Sequence, residues 1–119
     1  MERAIPRGVF LSIAAFFAAG AVFHLAALVR PAVADPSPPW RHALFVLVNV
    51  AVALGMRWRP RGFALGFALL AAQQLWSHGV TGALAWRDER RIDWASLVVV
   101  VGMPTVLALL VADARARRR

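Results

Sequence analysis

Residues 6–29 read PRGVFLSIAAFFAAGAVFHLAALV, and residues 60–86 read PRGFALGFALLAAQQLWSHGVTGALAW. Each stretch opens on Pro-Arg-Gly, runs on for more than twenty uncharged residues and carries one His. About 20 apolar residues at 1.5 Å per residue cross the roughly 30 Å hydrocarbon core of a bilayer. Both stretches are therefore read as membrane-spanning helices that start beside an arginine. Two more uncharged stretches, His42–Met56 and Trp94–Ala112, raise the expected number of spans to four. The shorter of these is bracketed by Trp40 and Trp58, which leaves about 19 residues, or about 28 Å, for the crossing.

The two quoted stretches are also copies in register. Sliding the chain by 54 residues lays Met1–Leu54 on Gly55–Ala108 with 11 identities. Arg3 falls on Arg57, Leu11 on Leu65, His24 on His78 and Trp40 on Trp94. In a chain rich in Ala, Val, Leu and Arg the rare residues matter more than the count, and one pair each of His and Trp aligns. The expected architecture is an all-α, integral membrane four-helix bundle built as a tandem repeat of two-helix hairpins. Its units are residues 1–54 and 55–108, and residues 109–119 form a basic tail. An even number of helices per unit sends both halves into the membrane in the same direction. That predicts a pseudo-two-fold axis along the membrane normal.

Composition agrees with a membrane setting. Hydrophobic residues make up 61% of 119, and mean hydropathy is +0.63, above what a soluble domain carries. No segment remains for a soluble domain. The net charge of +8 comes from arginine alone, because the chain has no Lys. The arginines sit at helix ends and in the tail, a pattern that suits anionic lipid headgroups rather than nucleic acid. Nine lie in the N-terminal segment, the second loop and the tail, against five in the first and third loops. The excess predicts cytoplasmic N- and C-termini, with loops one and three outside. Ala- and Arg-rich, Lys-free usage is that of a GC-rich bacterial genome, so a bacterial inner membrane is the expected location. The chain has no Cys, which removes disulfides and thiolate metal sites.

Arg3 and Arg7, an apolar run and Ala32-Val33-Ala34 also resemble a cleavable signal peptide. The run is about 21 residues, longer than the 7–15 of a signal sequence, and it takes part in the repeat. It is expected to be retained.

The first helix is expected over Pro6–Val29, ended by Arg30-Pro31. The proline-rich Pro31–Pro39 loop is expected to be extended. The second helix runs from Trp40 to Met56–Arg59, the third over Gly62–Trp86, and the fourth over Trp94–Ala112 with a kink at Pro104. The short link Trp58–Arg61 makes the second and third helices antiparallel neighbours and the first and third diagonal partners. Trp40, Trp58, Trp86 and Trp94 fall where the indole suits the headgroup layer. Small-residue pairs at Ala14/Ala18, Ala15/Ala19 and Gly62/Gly66 favour close packing and leave a homodimer or a larger membrane complex open.

Polar residues inside the spans mark the candidate site, because isolated polar groups facing lipid are costly. Counted from the outer helix ends, His24 lies about 9 Å deep, His78 about 12 Å, and Asn49 and Met103 about 13 Å. Gln74 sits one turn from His78 with Gln73 beside it, and Trp76 is nearby. Trp40, Arg41 and His42 stand above this layer as an entrance. Three roles are open. His24, Asn49, Gln73, Gln74, Trp76 and His78 could bind a small lipophilic ligand such as a quinone or a sterol-like lipid. His24 and His78, with Met103, suit a b-type haem or copper. Alternatively, the polar residues form a structural hydrogen-bond network in an accessory or assembly subunit. No carboxylate within a helix core orients either imidazole, and Ser77 and His78 point about 100° apart on a helix, so no catalytic residue is assigned. Phosphate loops, zinc motifs and nucleic-acid stripes are lacking.

Overall fold

The computed structural model describes residues 5–30 and 37–118, all of them helical or in short connections. Arg3, the Ala32-Val33-Ala34 motif, Pro31, Pro36 and Arg119 lie outside the described residues. The helices are α1 (Arg7–Val29), α2 (Pro39–Trp58), α3 (Phe63–Glu89) and α4 (Trp94–Ala116). They form two compact units, one over Pro6–Pro60 and one over Arg61–Arg119.

In the first unit α1 packs on α2 as an antiparallel hairpin. His24 meets His42, Gly20 faces Asn49, and Phe10 meets Arg59, so the sequence distance between partners grows away from the loop. The inward residues of α2 that are buried or half-buried, His42, Phe45, Asn49, Val52 and Met56, recur at steps of three and four, the spacing that keeps one stripe of a helix against its neighbour. Pro39 opens α2, where its missing N–H leaves no helical bond unmade. Arg59 closes α2 in the left-handed conformation, φ 47°, and stacks its guanidinium 4.3 Å from the Phe10 ring. A cation on an aromatic face so ties the end of α2 to the start of α1.

In the second unit α3 packs on α4 across a four-residue connection, which leaves only an antiparallel neighbour within reach. The α4 positions Ser96, Met103 and Leu110 are buried at heptad spacing. Asp113 continues the stripe, pairing at 2.9 Å with Arg117 one turn on. Helix α3 runs to Glu89 and α4 to Ala116, beyond the apolar limits at Trp86 and Ala112. Arg, Glu and Ala are good helix formers, so a helix need not stop where the apolar run does. Helix α4 continues through Pro104.

The helices present apolar side chains on every face. Phe16, Val22, Leu47, Leu65 and Leu69 are among many large hydrophobics left exposed. Helices α1, α2 and α4 are long and apolar enough to cross a membrane. Helix α3, expected as a fourth span, has the length at 27 residues. Gln73, Gln74, Ser77, His78 and Thr81 keep its composition below that of the other three.

Candidate functional site

The polar residues inside the helices are used in pairs, each within one hairpin. In the first, His24 Nδ1 lies 3.0 Å from His42 Nδ1. One ring must donate and the other accept, so the two imidazoles share a proton-bearing bond between α1 and α2. Phe45 stacks on His24 at 5.3 Å and Phe23 meets it edge-on at the same distance. His42 is only 3% exposed, so the residue read as part of an entrance is the buried half of this pair. Trp40 and Arg41 are exposed at the start of α2.

Below this pair, Asn49 donates Nδ2–H to the Phe45 carbonyl at 2.8 Å. Its Oδ1 lies 2.6 Å from where a Cβ on Gly20 would stand. Glycine at 20 is what lets α1 come this close to the Asn49 amide.

In the second hairpin a chain of three side chains crosses from α4 to α3. Asp93 is the N-cap of α4 and accepts from Ser96 twice, from the backbone N–H at 3.2 Å and from Oγ–H at 2.7 Å. Ser96 Oγ in turn lies 3.1 Å from His78 Nδ1. The hydroxyl has one proton and gives it to Asp93, so toward His78 it accepts. Nδ1 of His78 then carries a proton toward Ser96. The bonds from Ser96, side chain first, hold the Asp93 carboxyl below its ordinary value, because they favour the charged form.

This chain borders a cleft of about 290 Å³ between α3 and α4. His78, Ser96 and Asp93 contribute its polar side, Arg91 adds a cation, and Trp86 and Leu97 are among its apolar walls. Gly79 and Gly82 line the α3 side. A Cβ at Gly82 would touch Ser96 at 3.4 Å, whereas one at Gly79 would meet nothing within 4 Å. Arg91 also pairs with Glu89 at 2.9 Å.

Of the other residues expected at a site, Gln74 is buried and bonds Gln73, itself exposed, at 2.6 Å. Trp76 is 77% exposed on α3 and does not line the cleft, and Met103 is buried on α4. His24 and His78, with Met103, belong to different units. Among the described residues no group of three or more His, Asp or Glu is placed to hold a metal ion.

Sequence reasoning passed over Asp93 and Ser96. The histidine partner of Ser96 lies on α3 rather than on its own helix. Two signals were present. Asp93 and Ser96 have the spacing of an N-cap and its third helical residue. Both interhelical bonds also join residues 18 apart, and the 54-residue shift that carries His24 to His78 carries His42 to Ser96.

No protein-family model, characterised protein or solved structure matches this chain.

Proposed function

We propose that this is an integral membrane protein made of two duplicated hairpins, which binds a small amphiphile in the cleft between α3 and α4. The polar head lies at His78 and Ser96, and the apolar part lies along Trp86 and Leu97. The observation that carries this reading is the cleft itself, where a hydrogen-bonded Asp-Ser-His chain meets apolar walls in a chain suited to lipid. Binding sites for small molecules commonly combine a few convergent polar groups with an apolar lining.

Comparison of the two halves supports it. Under the 54-residue shift, Leu25, Leu28 and His42 of the first hairpin correspond to Gly79, Gly82 and Ser96 of the second. Three large side chains are replaced by three small ones, all at the cleft. Helix α3 serves as the fourth span, with His78 turned to α4 and Gln74 buried rather than set against lipid. The arginine excess puts the termini in the cytoplasm, so the cleft opens in the outer half of the bilayer, where an amphiphile can enter from the lipid.

The test is Gly79→Leu, which puts the first hairpin's residue into the cleft lining at a position where an added Cβ meets nothing within 4 Å. Leucine suits a helix better than glycine by roughly 0.5–1 kcal/mol, so thermal stability in detergent should hold or rise. Mass spectrometry of the purified protein should find a bound amphiphile in the wild type and a large loss in the variant. Equal retention by a stable Gly79→Leu protein would refute the cleft as the site.

A second reading is a structural role in an accessory subunit, favoured by the His24–His42 pair, which spends both imidazoles on holding α1 to α2. Under it, His78→Ala lowers stability and leaves amphiphile content unchanged.

A further inference from the structure

Both nitrogens in the His24–His42 contact are Nδ1 atoms, 3.0 Å apart, on rings tilted by 43°. We infer that this pair is a metal site. A monovalent copper ion takes the place of the proton between the two nitrogens and joins α1 to α2 through both imidazoles. The site belongs to the first hairpin and is separate from the amphiphile cleft of the second.

The spacing of the donors is that of two ligands on one ion. Metal–imidazole bonds of about 2.0–2.1 Å put two nitrogens about 3.3 Å apart at a tetrahedral angle and about 4 Å apart when linear. From 3.0 Å, the hairpin has to open only slightly to admit the ion. Which ring held the shared proton is immaterial, because each ring gives its Nδ1 lone pair to the metal and holds a proton on Nε2. The donors are also held in place before the ion arrives. His42 is 3% exposed, and the Phe23 and Phe45 rings each stand 5.3 Å from that of His24.

Ligand number and charge select the ion. Zinc takes four ligands as a rule, and among the described residues no third His, Asp or Glu joins this pair. Cuprous copper accepts imidazole and is stable with two such ligands. Between helices and beside phenyl rings, one positive charge also costs less to bury than two.

The second hairpin provides a contrast within the same chain. The 54-residue shift carries His24 to His78 and His42 to Ser96. His78 and Ser96 also meet across two helices, at 3.1 Å, but a hydroxyl oxygen is a hard donor and a poor ligand for cuprous copper. Both hairpins thus keep an interhelical bond at this place, and only the first has two imidazoles there.

The experiment titrates the purified full-length protein in detergent with copper kept cuprous by ascorbate, in competition with bicinchoninate. The wild type should bind one ion per chain, and X-ray absorption at the copper edge should show imidazole nitrogen ligands. His42→Ser gives the first hairpin the side chain of the second. It should lower affinity at least about 100-fold, beyond the usual 10–100-fold for losing an outer partner of a ligand. His24→Gln keeps an amide to bond His42, should lose copper equally, and serves if His42→Ser does not fold. His78→Gln should bind copper as the wild type does. The assignment is overturned by a wild type that binds no copper, by sulfur ligation, or by zinc binding more tightly than copper. Folded His42→Ser and His24→Gln proteins that keep their affinity overturn it too, as does loss of copper in His78→Gln.

Discussion

Asp93 does two jobs at the start of α4. It caps the helix by accepting the Ser96 N–H, and it takes the Ser96 hydroxyl proton, which sets what His78 sees. Both jobs require the carboxylate. Its ionisation is favoured in the folded protein, so the stabilisation it provides is complete above the ordinary aspartate value and is lost as pH falls through the lowered one. Asp93→Ala should cost about 1 kcal/mol near neutrality, the usual value of a cap. Thermal unfolding in detergent at a series of pH values should show the gap between wild type and variant narrowing in acid. A gap that stays constant or widens in acid would mean that the carboxylate does not carry the cap.

Much of the helix surface is apolar, with many large hydrophobics exposed, so hydrophobicity alone distinguishes little between an inward and an outward face. Close approach and a few polar bonds decide which face turns inward. In the first hairpin the approach depends on Gly20, whose missing side chain leaves room for the Asn49 amide. Gly20→Ala gains up to about 1 kcal/mol of helix propensity. It also forces Asn49 off its bond to the Phe45 carbonyl and pushes α1 outward. We expect a net loss of about 1 kcal/mol, within the range for overpacking. Asn49→Ala should remove that penalty, so that Gly20→Ala becomes neutral or stabilising in its background. A double-mutant cycle on thermal stability measures this coupling, and simple additivity would show that the two residues do not meet.

Across the whole molecule the expected orientation rests on nine arginines against five. The chain lacks cysteine, so single-cysteine labelling needs no altered background. Cysteines placed at Ser37 and Ile92 should react with an impermeant maleimide from outside, and ones at Arg61 and Arg118 only after the membrane is opened. The reverse pattern would put the cleft on the cytoplasmic side and remove the outer-leaflet route for its ligand. Helix α3 has the same stake in this experiment. If it did not cross, Ser37 and Ile92 would label from opposite sides.

Helix positions were legible in the sequence because uncharged runs and their arginine and tryptophan borders are local features, and so was the 54-residue recurrence. Three of the four expected spans have the composition for the task, and the fourth falls short through the polar residues that made it interesting. The candidate residues were legible only as a set of types at similar depth. Which of them meet depends on side-chain contacts across a hairpin, and helical periodicity within one segment carries no information on that. His24 and His78 drew attention as a pair, yet their bonds are to His42 and Ser96, each on the next helix. Asp93 reaches His78 only because tertiary packing sets Ser96 between them. The cleft, too, belongs to tertiary structure, because Gly79 and Gly82 become a space only when another helix stands opposite them.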